Sequence, residues 1–166
     1  MLSALKFLVV DDQSFTREIV STILKSAGVR HIDYASDGAG ALNRIRLSMP
    51  DMIITDQLMV GMEGVDLIRL IRGSADSPNP FLPIIMLTGR TDESFVAEAR
   101  DAGMTEFASK PITAANLFSR INACIMRPRP FVRKDGYFGP DRRRRANPDY
   151  TGKKRRSADL VPLALD

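Results

Sequence analysis

Lys6-Phe7-Leu8-Val9-Val10-Asp11-Asp12 is a short, almost wholly apolar run that ends abruptly in two carboxylates. Continuous apolarity over so few residues describes a strand covered on both faces, as in a parallel sheet. From Ser14 the period changes: Phe15, Ile19, Ile23 and Leu24, with Val20 alongside, recur at helical spacing until Gly28. The rest of the chain repeats this unit. Residues 31–35, 52–55, 84–87 and 106–109 read as further strands. Between them lie helical patterns: one capped by Asp37 and stopped by Pro50, one through Val65, Leu67, Ile68 and Ile71, and a polar one over 92–102. The last starts at Thr113 and runs through Leu117, Ile121 and Ile125. Strands alternating with helices imply right-handed crossovers and a doubly wound, five-stranded parallel sheet of the α/β class.

In such sheets ligands bind beyond the carboxyl ends of the strands, near the point where strand order switches. The residues that terminate strands are Asp11, Asp12, Asp56, Thr88 and Lys110. Carboxylates gathered at one edge repel one another unless something compensates them. Mg²⁺ does so, because it takes hard oxygen ligands and commonly uses one or two carboxylates plus a phosphate oxygen. The same ion neutralises charge in phosphoryl transfer, Lys110 offers a positive point charge, and Thr88 offers a hydroxyl. Asp56, in the central position, can attack phosphorus and carry an aspartyl phosphate.

Together, Phe7 to Asp12, Ile53-Ile54-Thr55-Asp56, Leu87-Thr88 and Lys110-Pro111 resemble the receiver domain of response regulators, the CheY-like family with its flavodoxin-like (βα)5 fold. The resemblance runs from residue 6 to about residue 126. It implies that Asp12 and Asp56 ligate Mg²⁺ directly, that Asp11 acts through a bound water, and that the Leu58 carbonyl is a third protein ligand. Asp56 would be the modified residue, taking its phosphoryl group from a sensor histidine kinase or a histidine phosphotransfer protein. Lys110 would contact that group, and the Lys110-Pro111 bond would be cis. Thr88 and Phe107 would be the switch residues, altering the surface of the fourth helix, fifth strand and fifth helix for a downstream protein target.

The sequence also departs from the family pattern. Where Met-Pro-x-Met-(Asp/Glu)-Gly is usual, this chain has Met59-Val60-Gly61-Met62-Glu63-Gly64, so the loop after the acceptor is expected to be less preorganised. Phe107 lacks the hydroxyl of the more common tyrosine. Arg90 is expected near the phosphate. Leu58 has no polar group to position an attacking water, which favours a longer-lived phosphate.

Bulk composition narrows the remaining classes. The apolar fraction is 44%, too high for a disordered chain. Cys124 is the only cysteine, so no internal disulfide forms. It reads as a small buried residue, the lone His31 as structural or exposed, and most methionines as gap fillers. No run reaches the ~20 apolar residues of a membrane span, and the N-terminus lacks a secretory pattern. A soluble, cytoplasmic protein of bacterial two-component type is expected.

Charge divides the chain. Residues 1–126 carry 12 Lys and Arg against 15 Asp and Glu, whereas 127–166 carry 12 against 5. The division expected is a receiver at 1–126 and a basic, largely extended tail at 127–166. Arg127-Pro128-Arg129-Pro130 cannot continue a helix, and the blocks 141–145 and 153–156 are densely cationic. Tyr137 to Arg142 resembles a motif that follows some stand-alone bacterial receivers. The expected function is a stand-alone phosphorylation-dependent switch, not an enzyme beyond its own phosphorylation and dephosphorylation. Alternatives are a nucleic-acid-binding regulator that uses the tail, or a phosphate shuttle in a relay. Binding of the tail to another acidic surface and self-association as a homodimer are open.

Overall fold

The computed structural model describes residues 2–143 and 160–161. After a single 3₁₀ turn at Leu2–Ala4, five βα units follow in order. They are β1 (Lys6–Val10) and α1 (Ser14–Ser26), β2 (His31–Ala35) and α2 (Gly38–Leu47), and β3 (Met52–Asp56) and α3 (Gly64–Gly73). β4 (Ile84–Thr88) and α4 (Glu93–Ala102), then β5 (Glu106–Ser109) and α5 (Ala114–Met126), complete them. The strands form one parallel sheet in the order β2-β1-β3-β4-β5. This is the CheY-like, flavodoxin-type arrangement.

Side-chain alternation along the strands builds two cores. Leu8, Val10, Ile53, Ile84 and Met86 face one side, under Ala41, Ile45, Ile68 and Phe95 from α2, α3 and α4. Phe7, Val9, Ile54, Ile85 and Leu87 face the other, under Val20 and Leu24 of α1 and Leu117 and Ile121 of α5. β3 and β4 are buried throughout because both faces and both edges are covered. β2, on the outside of the sheet, is mostly half-exposed. Asp37, Asp92 and Thr113 cap α2, α4 and α5 by accepting from the amides of Gly40, Phe95 and Asn116. At the end of α1, Gly28 adopts φ +84°, and its N–H bonds to the Lys25 carbonyl.

Beyond α5 the structure differs from the patternless extension expected. β6 (Phe131–Lys134) and β7 (Tyr137–Pro140) pair as an antiparallel hairpin, and β8 (Leu160–Val161) pairs antiparallel with β6. The turn is Asp135-Gly136, at φ 49° and 79°. An Asp-Gly pair accepts two left-handed conformations cheaply and matches the twist of the flanking strands. Phe131 and Phe138 pack with Phe81, with ring centroids 5.1–5.5 Å apart. The guanidinium of the buried Arg72 lies 5.0 Å from the Phe131 centroid. It donates to the carbonyls of Gly103 and Pro80 and to Thr105 Oγ1. Arg142 pairs with Asp101 at 2.7 Å, fastening the end of the hairpin to α4. Arg144, Arg145 and the 153–156 block lie outside the described residues.

Candidate functional site

Asp11 follows β1, Asp56 ends β3, Thr88 ends β4 and Lys110 follows β5. The parallel register delivers all four to the carboxyl edge of the sheet, where neighbours of β1 depart in opposite directions. Ligand oxygens of Asp11, Asp12 and Asp56 all lie within 4.8 Å of one another. Lys110 Nζ stands 2.7 Å from Asp56 Oδ1. One ammonium cannot balance three clustered carboxylates.

The individual contacts sharpen this imbalance. Asp11 is buried; one of its oxygens accepts from the Gln13 amide, while Oδ2 is buried without a hydrogen-bond partner. Burial, reinforced by Asp56 and Asp12, holds the Asp11 carboxyl above its ordinary range, against the Gln13 amide and Lys110, which pull the other way. An orphaned carboxylate oxygen beside two further acidic ligands is a donor set suited to a hard divalent cation.

Thr88 is buried, and its hydroxyl is engaged twice by Arg90, accepting from the amide at 2.9 Å and donating to the carbonyl at 3.3 Å. The Arg90 side chain pairs with Asp92 at 3.1 Å and lies over the Phe95 ring. Phe107 is half-buried against the α2–α4 core, with the Arg120 guanidinium 5.6 Å from its centroid. The Leu58 side chain is 63% exposed. The Lys110-Pro111 peptide is cis.

Several contributors to this arrangement carried no motif. Arg17, one helical turn into α1, donates to the Asp11 carbonyl. Gly64 sits where a Cβ would lie 2.3 Å from the Asp56 carbonyl oxygen, so the start of α3 closes directly on the Asp56 backbone. The loop between β3 and α3, expected to be less preorganised for want of the proline, is tied at three points. Gly64 N–H donates to the Gln57 carbonyl, Gln57 Nε2 to Glu63 Oε2, and Val60 N–H to Asp12 Oδ2. Only Gly64 could have been suspected from sequence, as a glycine bounding the loop.

Comparison with known proteins agrees with this geometry. A profile of the response regulator receiver domain matches residues 7–122. Chemotaxis protein CheY-3 of Vibrio cholerae is 36% identical over 123 residues, covering 74% of this chain and 93% of that protein. Chemotaxis protein CheY of Pseudomonas aeruginosa is 35% identical over 123 residues, covering 74% and 98%. Among solved structures, chemotaxis protein CheY4 of Vibrio cholerae superposes with a TM-score of 0.65 at 31% identity, over 71% of this chain and 96% of that one. The receiver domain of a signal transduction histidine kinase from Syntrophus aciditrophicus gives 0.66 at 29% identity, over 74% and 91%. The chain therefore belongs to the response regulator receiver family of two-component signalling, a family of phosphorylatable domains rather than classical enzymes.

Proposed function

We propose that this protein is a signalling switch that accepts a phosphoryl group on Asp56. The observation that carries the reading is the 2.7 Å contact between Lys110 and Asp56 inside the acidic cluster. An Asp56 oxygen forms a bond to phosphorus as the N–P bond of a phosphohistidine breaks, and the departing imidazole keeps the electron pair. Lys110 moves its charge from the carboxylate to a phosphoryl oxygen. Asp11, Asp12, Asp56 and the Leu58 carbonyl would hold Mg²⁺, which when bound neutralises charge on the phosphoryl oxygens.

The Thr88 hydroxyl has one proton, now given to the Arg90 carbonyl. Donating it to a phosphoryl oxygen releases that turn, which leads directly into the Asp92 cap of α4. Phe107 then rearranges, and the α4–β5–α5 face presents a new surface to a protein target. In thermodynamic terms the phosphate biases an existing two-state equilibrium. Phe15, Leu58 and Val60 are exposed apolar side chains on the segments leaving β1 and β3. They would seat a cytoplasmic phosphodonor, a histidine kinase or phosphotransfer protein.

The test is intact mass after incubation with acetyl phosphate and Mg²⁺. Wild-type protein should gain one phosphate, and Asp56→Asn none. Equal uptake by both would refute the assignment. A screen of candidate histidine kinases with the same pair would then name the pathway.

A second reading, nucleic-acid binding, draws support from the hairpin. Residues 127–143 hold six Lys and Arg against two Asp. None of the large exposed apolar side chains among the described residues lies in that segment. A charged face without apolar anchors suits a phosphate backbone better than a protein hot spot or a membrane interface.

A further inference from the structure

We propose that the backbone N–H of Val60 is a positioning group for the cation site, a role available to this chain because residue 60 is not proline. The inference rests on the phosphoacceptor reading and concerns how the metal ligands are held. Val60 N–H donates to Asp12 Oδ2 at 3.3 Å, linking the β3–α3 loop to the end of β1 across 48 residues of sequence. The Val60 side chain is 81% exposed, so its isopropyl group contributes little packing. What residue 60 contributes here is its amide. A carboxylate has two oxygens, and one held by an amide leaves the other free to face a cation. The hydrogen bond also places a partial positive charge beside a carboxylate crowded by two others.

The amide is held in place by the rest of the loop. Gln57 is buried, and its Nε2 donates to Glu63 Oε2 at 3.1 Å. Gly64 N–H closes on the Gln57 carbonyl at 2.8 Å. Gly61, which follows Val60 in the chain, stands at φ +84°, a left-handed conformation that glycine adopts without strain. Leu58, whose carbonyl would be the third protein ligand, lies inside this braced segment. A proline at 60 would stiffen the loop by locking φ, yet it would remove the donor. Loop stiffness and amide donation therefore predict opposite effects of one substitution.

The experiment is calorimetric titration of metal-free, full-length protein with MgCl₂, comparing wild type, Val60→Ala, Val60→Pro and Gln57→Leu. Val60→Ala keeps the amide and should bind Mg²⁺ within about twofold of wild type. Val60→Pro should weaken binding about tenfold or more, as expected for losing a hydrogen bond to a charged group. Gln57→Leu, which removes the brace while leaving residue 60 intact, should weaken it in the same direction. Thermal melts identify any variant that fails to fold, and Gln57→Leu then carries the test alone. Tighter or unchanged binding in both Val60→Pro and Gln57→Leu overturns the proposal, as does equal weakening in Val60→Ala and Val60→Pro. If wild type itself takes up no Mg²⁺, the phosphoacceptor reading falls and this inference with it. If wild type binds and the variants do not differ from it, only this inference falls.

Discussion

Asp11 shows how a single residue can oppose the stability of the domain that positions it. Its carboxyl is held above the ordinary value of 3.8 by burial first, then by the neighbouring acids. The folded state therefore binds a proton that the unfolded state releases at lower pH. Stability is lost as pH rises from the ordinary value through the raised one, because the native state must then ionise a buried group. In chelator-containing buffer, Asp11→Asn should melt higher than wild type at pH 7, and the difference should close as the solution is acidified below the ordinary carboxylate range. A lower melting temperature for the Asn variant at pH 7 would contradict the role given to burial. Added Mg²⁺ should raise the melting temperature of wild type more than that of Asp11→Asn, since the ion offsets the repulsion that the substitution relieves.

Elements are joined here by close backbone approaches that tolerate no extra atoms. The start of α3 meets the end of β3 at Gly64, with no room for a Cβ against the Asp56 carbonyl. Gly64→Ala should therefore cost about 2 kcal/mol in urea unfolding, in the range for overpacked sites. Phosphate uptake should fall with it, because relief requires moving the Asp56 peptide. Unchanged stability would mean the loop shifts freely. The hairpin depends on a different kind of joint, the packed rings of Phe81, Phe131 and Phe138 over Arg72. Phe138→Ala should destabilise the protein by about 3 kcal/mol if the hairpin is an integral part of the fold. A loss below about 0.5 kcal/mol, the level of ordinary surface substitutions, would show that it does not pack in solution.

Across the whole molecule, charge is sorted by place. The acidic cluster lies at the carboxyl edge of the sheet, and the hairpin packs against the α4 end that carries Asp101 and Gly103. Two binding events at these places would meet little direct competition. On the nucleic-acid reading, retention of duplex DNA should fall steeply between 50 and 200 mM salt, as expected for phosphate neutralisation. Arg127→Glu combined with Arg143→Glu should weaken retention while phosphate uptake persists. Retention indifferent to salt, or absent at about 50 mM, would remove that reading. Charge reversal is the better probe than truncation after residue 126, because truncation would strip Phe81 and Arg72 of their cover. Among the described residues, no helix is long and apolar enough to cross a membrane.

Much of this was legible in the chain itself. Five strand-like runs, four of them ending in a candidate site side chain, and the helical periods between them specify the βα units, because period and propensity act over a few neighbouring residues. Asp11, Asp12, Asp56, Thr88 and Lys110 were recognisable for the same reason: a parallel sheet places strand ends together whatever the details of packing. The Asp135-Gly136 turn was also present as a local signal, but Phe131 and Phe138 gain meaning only once Phe81 and Arg72 lie beneath them. Arg17 on the Asp11 carbonyl, Gln57 against Glu63 and the Val60 amide on Asp12 left no trace in sequence. Such contacts join backbone and side-chain atoms of separate segments, and only tertiary structure decides which unpaired donors and acceptors come within reach of one another.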